Sequence, residues 1–424
     1  MNRRSWLKWM AAAPVYGVIA ARAATDSLAA AAGATTTGDV YKRLGVRPFI
    51  NARGTWTYLS GSLELPEVRR AMDDAAQHFV DMFELQQAAG RKLAALSGAE
   101  SGMVTSGAAG AMAAATAGCI AGTDPEKVWQ LPDTTGLKNE VVMLGGRSAF
   151  DSAIRLAGAK LVVVGTVDDL AAAISDRTAM VYTTWLGERL TAALAVTKKA
   201  AVPLMLDDAA GIPPIENLKK YAGMGIDLFC FSGGKGLRGP QCSGILLGRK
   251  DLIEAALAQC SPWEGAVCRA MKVGKEEIVG VLAAVEAWST LDLAVLNKQW
   301  SRRVERIAKL VETVPGVTTK IAIPEGGNSY PTLTVTWDPD AFGFTIADCD
   351  RELRAGEPRI EVLTNSNPSF VAAAHEGMQA GRKQTERRPD RLQIISMTMK
   401  DGEELIVGRR LRDILTQARR KVKA

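Results

Sequence analysis

Three short stretches hold residues whose types and spacing could do chemistry. Thr105-Ser106-Gly107-Ala108-Ala109-Gly110 follows an apolar run and opens an Ala-rich helical stretch. Its small residues let a ligand approach closely, and the N–H groups and dipole of a helix start favour a phosphate. Leu206-Asp207-Asp208-Ala209-Ala210 puts an acid at the end of another apolar run. An acid there, facing a crevice, can hold a protonated ring nitrogen. Phe231-Ser232-Gly233-Gly234-Lys235-Gly236 sets a lysine in a Gly-rich bend with a serine three residues before it. That pattern suits an amine nucleophile beside a phosphate-binding hydroxyl. Each has an ordinary alternative: a Gly-containing helix start, a solvated acid pair, a surface lysine in a turn. Their joint occurrence at the ends of strands, where open α/β sheets bind ligands, favours a site.

Two rival motifs fail on local grounds. A Walker A loop ending at Gly234-Lys235 needs a glycine where Phe229 stands, and no Ser or Thr follows the lysine. Ser232-x-x-Lys235 matches S-x-x-K in form, but the chain has no S-D-N and no K-T-G to complete it.

The elements that must position these residues are short apolar runs alternating with Ala-rich helical stretches. Strands are expected at Gly102–Thr105, Val141–Leu144, Leu161–Val164, Met180–Thr183, Pro203–Leu206, Asp227–Phe231 and Gly244–Leu247. Such alternation predicts an α/β fold, a mainly parallel seven-stranded sheet flanked by helices. Long helices are expected over Glu67–Leu96, with Phe79, Met82, Phe83 and Leu85 on its apolar side, and over Lys275–Ala308. Beyond them Thr318–Ile323, Thr332–Thr336, Ile360–Leu363 and Leu392–Met397 read as strands and Glu403–Lys423 as a closing helix, a smaller α+β domain. The expected divisions are a leader at 1–34, an N-terminal arm at 35–75, a large domain at 76–300 and a small one at 301–424.

With strands in place, the order is a phosphate cradle, an acid, and a lysine 28 residues after the acid. This resembles a fold-type-I pyridoxal-phosphate enzyme. Ser232-Gly233-Gly234-Lys235-Gly236-Leu237-Arg238-Gly239-Pro240-Gln241, backed by the strand Gly244–Leu247, is similar to the selenocysteine-synthase-like family. That family includes relatives of L-seryl-tRNA(Sec) selenium transferase and proteins of the D-glucosaminate-6-phosphate ammonia-lyase type. Gly61-Ser62-Leu63, the stretch from Leu131 to Glu140, Ala209–Pro214 and the stretch from Met271 to Glu277 resemble it too, and the likeness runs from Tyr41 to the C-terminus.

The resemblance implies pyridoxal 5'-phosphate as cofactor and gives each residue a role. Lys235 forms the Schiff base with the cofactor aldehyde and later moves the Cα proton, for which its amine must be neutral, below its ordinary pKa of about 10.4. Asp207 pairs with the pyridinium nitrogen, and Ser106, Gly107, Ala108 and Ser232 hold the phosphate. Arg269 and Lys272 are candidate anchors for substrate or phosphate, in this site or a neighbouring subunit's; the ordinary alternative for each is a surface cation. Relatives place a histidine in the loop matching Gly145–Asp151, where this chain has Gly146, and the stretch Trp185–Val202 is shorter than usual.

Composition narrows the rest. The 424 residues are 47% hydrophobic and 23% charged, which suits a folded chain with a large core. A net charge of +6, spread along the sequence, does not imply nucleic-acid binding. Only His78 and His375 exist, and the six cysteines form no C-x-x-C pair, so no metal site is expected. Arg3-Arg4 before the apolar stretch Trp9–Ala21, then Ala21-Arg22-Ala23, resemble a twin-arginine export signal. The apolar run is shorter than the roughly 20 residues of a spanning helix. The expected location is therefore periplasmic, with the cytoplasm as alternative and no lasting membrane insertion.

The expected activity is that of a pyridoxal-phosphate enzyme on a small amine-bearing substrate, by carbon–nitrogen elimination. The alternatives are transamination, racemisation, or a non-catalytic binding protein on the same fold. Export would separate the protein from tRNA, and no basic domain precedes Tyr41, so seryl-tRNA is not the expected substrate. A homodimer or higher homo-oligomer is expected, and the basic segment Arg382–Arg391 reads as a solvated loop.

Overall fold

A computed structural model describes residues 40–324, 327, 329–364 and 391–423. The leader with Arg3 and Arg4, His375 and most of the segment Arg382–Arg391 lie outside the described residues. Contacts divide the chain into two units, Met1–Phe49 and Ile50–Ala424. In the first, a helical turn at Val40–Arg43 is closed by the Val46 amide donating to the Tyr41 carbonyl (2.8 Å). The second holds every element described next except the first residue of β1.

After β1 (Phe49–Ala52), seven strands form the central sheet: β2 (Ser101–Thr105), β3 (Glu140–Leu144), β4 (Lys160–Val164), β5 (Thr178–Thr183), β6 (Leu204–Asp207), β7 (Leu228–Ser232) and β8 (Gly244–Gly248). Their order is β2-β8-β7-β6-β5-β3-β4. Only β8 runs against its neighbours, so six strands point the same way and end on one edge. Alternate residues feed two cores. Val104, Val142, Leu206, Phe229 and Phe231 pack on one face, and Met103, Met143, Met205, Cys230 and Leu246 on the other. Burial on both faces explains why six of these strands read as continuous apolar runs, whereas the edge strand β4 is largely open to solvent.

Helices enclose the sheet on both faces. α1 (Pro66–Ala75), α2 (Met82–Ser97) and α4 (Lys275–Trp288) contribute Val68, Leu93 and Val281 to the first core. α3 (Ala108–Ala121), buried almost all round, fills the second. α5 (Leu293–Val311) reaches two cores, Trp300 in the first and Val304 and Ile307 in a third. That third core lies under an antiparallel sheet of β9 (Thr318–Ala322), β10 (Thr332–Thr336) and β12 (Leu392–Ile395), ordered β12-β10-β9, with α6 (Glu403–Lys423) against it. β11 (Arg359–Val362) pairs with β1.

Both expected long helices are broken. Glu67–Leu96 divides into α1 and α2 because Asp81 is extended and its carboxylate accepts from the Phe83 and Glu84 amides (2.8 and 3.0 Å), capping α2. The break carries Phe79 out to full exposure and leaves Phe83 exposed, while Met82 and Leu85 pack on the core. Lys275–Ala308 bends by 93° between α4 and α5, where Asp292 accepts from the Ala294 and Val295 amides (2.8 and 3.1 Å). The strand expected to reach Met397 ends at Ile395.

Candidate active site

The carboxyl ends of β2 and β7 are joined through β8: Thr105 and Ser232 both pair with Gly244. A Cβ on Gly244 would stand 2.5 Å from the Gly107 carbonyl carbon and 2.8 Å from the Ala108 nitrogen, so this rung presses directly against the start of α3. α3 begins with no side-chain cap, and Gly107 has φ +101°, a conformation that favours glycine. The Thr105 hydroxyl donates to the Gly107 carbonyl at 2.9 Å, fixing the turn. Open space faces Gly107, and neither the Ser106 nor the Ser232 hydroxyl is held by a partner among the described residues. An uncapped helix N-terminus with two hydroxyls and room above it is an anion cradle.

The acid pair separates by strand parity. Asp207 falls on the same face as Met205 and Cys230, and the next residue is directed to the opposite side. Asp207 accepts from the Tyr182 hydroxyl (2.8 Å) through Oδ2 and from the Ala209 amide (3.0 Å) through Oδ1, and it stays half-buried. Carboxylate oxygens offer about four acceptor positions, which leaves capacity for a further donor. Asp208 is buried and accepts from the Tyr221 hydroxyl at 2.6 Å. Burial pushes its carboxyl up, against the opposing pull of that bond and of Lys235. Burial, then Asp207, likewise push the Tyr182 hydroxyl up, so it stays a donor.

Lys235 is half-buried in the connection after β7. Its flanks have no room for side chains: a Cβ at Gly236 would lie 2.1 Å from the Ile212 oxygen, and one at Gly234 2.6 Å from the Gln241 Cα. The Ser62 hydroxyl donates to the Gly234 carbonyl (3.1 Å), and the Arg238 amide to the Lys235 carbonyl (3.0 Å). Asp207 and Lys235 act on one and the same thiol. Burial and the Asp207 charge push Cys230 well up, and the Lys235 charge opposes them.

Arg269 and Lys272 flank Met271, which lines a small pocket with Ser106 and Cys260. Arg269 is half-buried and Lys272 exposed. In the loop that lacks a histidine, the Trp185 indole takes the space beside Gly145, where a Cβ would lie 2.5 Å from Nε1, and Arg189 lies over that ring at 5.3 Å. Tyr182, Trp185 and Gly244 are the contributors that the residue patterns did not single out. Each depends on the packing of separate strands and loops, which no local motif marks.

No family model matches the chain. It is 36% identical over 339 residues to a 5'-C-glycyluridine monooxygenase-decarboxylase of a Streptomyces species, covering 76% of this chain and 83% of the relative. It is 29% identical to the D-glucosaminate-6-phosphate ammonia lyase of Salmonella typhimurium, over 90% of this chain and 99% of that one. An L-seryl-tRNA(Sec) selenium transferase of Moorella thermoacetica is 26% identical over 68% of this chain and 69% of its own. A solved D-glucosaminate-6-phosphate ammonia-lyase structure superimposes with TM-score 0.72 at 29% identity, covering 90% of this chain and all of that one. The fold is that of a pyridoxal-phosphate enzyme of fold type I. The chain belongs to the selenocysteine-synthase-like family of these enzymes.

The residues present fit that cofactor. The uncapped α3 start suits its phosphate, the Asp207 carboxylate with remaining acceptor capacity suits a ring N–H, and Lys235 supplies an amine nearby.

Proposed function

We propose that this enzyme eliminates an amine from a small amino compound, with Lys235 as the point of covalent attachment to the cofactor and as the proton carrier. The observation that carries this is the placement of Asp207 at the end of β6 and Lys235 just past the end of the adjacent β7, on the strand-end edge where the uncapped start of α3 also lies. Bound pyridoxal phosphate supplies a ring that absorbs negative charge from a substrate carbon. In this reading the Lys235 Nζ would take the proton from the substrate Cα and pass it to a hydroxyl on the neighbouring carbon, which departs as water; the freed enamine tautomerises to an imine, and a second water hydrolyses that to a ketone and ammonia. Asp207 holds the ring N–H, and Tyr182 keeps Asp207 oriented. The first amides of α3, with Ser106 and Ser232, bind the phosphate and fix its position.

The test uses the full chain loaded with cofactor. Borohydride should abolish the visible absorbance and fix the cofactor to the peptide containing Lys235. Lys235→Ala should lose both that adduct and ammonia release, the latter by at least about a hundredfold. An adduct on another lysine, or turnover surviving in the variant, would overturn the assignment.

A second reading has its own support, because the relative at 36% identity is named a monooxygenase-decarboxylase. It takes the same residues to carbon–carbon cleavage. Oxygen uptake with carbon dioxide release in an amine screen would favour it, whereas ammonia release without oxygen uptake favours elimination. Keto-acid formation or inversion of configuration would mark transamination or racemisation instead.

We also infer export to the periplasm by the Arg3-Arg4 leader, and assembly into a homo-oligomer. Exposed Phe83, Trp129 and Trp263 support the assembly: Phe83 meets Trp263 edge-on and Trp129 lies against Gly265, two residues on, and apolar side chains gathered on a surface mark contact sites. Recovery of the protein from the cytoplasmic fraction alone would refute export.

A further inference from the structure

A second pocket lies beside the lysine loop, on the side of α5 and the chain after β12. It is a cavity of about 250 Å³ lined by Ser62, Arg238, Trp300, Arg303, Thr398 and Lys400 among others. Arg238 is three residues from Lys235 and has φ +57°, a left-handed conformation rare for a side chain of its size. Its Nε donates to the Leu63 carbonyl (2.9 Å), and it makes no ion pair among the described residues. Burial lowers the affinity of its guanidinium for a proton, and the charges of Arg303 and Arg69 lower it further. The Glu67 charge opposes them, and with Lys400 three basic side chains and one acid, Asp401, line this cavity.

Arg303 is only 14% exposed in its side chain. It donates to the Ser396 carbonyl (3.2 Å) and to Asp401 Oδ1 (2.7 Å), but Asp401 is 95% exposed and stands in water. The Arg303 Nε and the Thr398 hydroxyl are shut from solvent with no hydrogen-bond partner among the described residues. Buried polar groups are ordinarily satisfied, so such unpaired ones call for an explanation. A guanidinium offers donors alone, in a fork that matches carboxylate or phosphate oxygens.

We propose that this cavity binds an oxyanion, the carboxylate or phosphate end of the small amine whose nitrogen reacts at Lys235. The proposal rests on the functional reading of Lys235 given above. Arg238 and Arg303 neutralise the anion, Thr398 and the Arg303 Nε gain a partner, and Trp300 flanks the carbon skeleton. The Ser62 hydroxyl, bonded to the Gly234 carbonyl, joins the cavity wall to the lysine loop. Asp401 is the internal competitor, an acid that holds Arg303 from the solvent side until a ligand anion replaces it.

The experiment is calorimetric titration of the full, cofactor-loaded protein with inorganic phosphate and, separately, succinate, against chloride at equal ionic strength. One of the two oxyanions should saturate, and which one does so assigns the phosphate or the carboxylate class. Arg303→Gln should weaken binding by about tenfold or more, because the bidentate fork is gone. Asp401→Asn, at an exposed site that leaves folding intact, should tighten binding several-fold. Saturation by neither anion, or an Asp401→Asn protein that binds no more tightly than the wild type, overturns the proposal. The readout needs no turnover. A Lys235 adduct without anion binding rejects this site alone, and anion binding that responds to both substitutions without a Lys235 adduct rejects only the functional reading.

Discussion

Deleting one hydroxyl should show how firmly Asp207 is held in the orientation proposed for it. Tyr182→Phe removes the 2.8 Å bond to Asp207 Oδ2 and leaves an apolar ring in a buried place. A hydrogen bond to a charged group contributes about 1.5–3 kcal/mol. Cofactor retention, followed by equilibrium dialysis, should therefore fall at least tenfold, while thermal unfolding of the unloaded protein shifts little. An unchanged affinity would mean that the Ala209 amide alone orients the acid. At this scale Lys235 and the small residues at Ser106–Ala108 were legible, because glycine and serine around a lysine or a helix start carry a local signature. The choice between Asp207 and Asp208 needed strand parity, and Tyr182 was hidden because its role depends on β5 lying beside β6 in one particular register, Tyr182 against Met205.

The loop from Gly145 to Asp151 is anchored at its end by the carboxylate of Asp151, which is buried and paired with Arg147 and Arg155. Burial pushes this carboxyl up, but the Arg147 hydrogen bond and the two guanidinium charges outweigh it and hold the group below its ordinary value. A carboxyl with a depressed folded pKa stabilises above its unfolded value, about 3.9, and that contribution disappears as pH falls through the folded value. Asp151→Asn should thus lower stability at pH 7 by about 1–2 kcal/mol, a modest figure because both arginines reach solvent. The deficit should shrink in denaturant titrations below about pH 3.9. A deficit independent of pH would point to lost packing instead. Elements were more legible than contacts. Six central strands were readable as apolar runs because both sheet faces are buried there, and β4 by its β-branched residues, whereas the two long helices were overextended across Asp81 and Asp292, acids whose capping role outweighs the apolar periodicity around them.

For the whole molecule, the break after α1 has an outward consequence. It leaves Phe79 fully exposed and Phe83 edge-on to Trp263 at 5.0 Å between ring centres, both partly in water. The double substitution Phe79→Asp and Trp263→Ser should reduce the assembly state seen by light scattering without loss of secondary structure. An unchanged mass would place the subunit contact elsewhere. Nothing in the amphipathic pattern of Glu67–Leu96 revealed this surface, since an uninterrupted helix would have turned those rings inward.

The single reversed strand, β8, has a different kind of consequence. Because it returns immediately alongside β7, Lys235 occupies the bend of a β-hairpin, closed by residues 233–243 between Ser232 and Gly244. Every other pairing in that sheet needs a longer excursion of the chain, and ring closure costs more entropy as the excursion lengthens. Lys235 is thus framed by the sheet's least entropically demanding contact, and the crossover that presses on its loop is the stretch after β6, where Ile212 leaves no room for a side chain at Gly236.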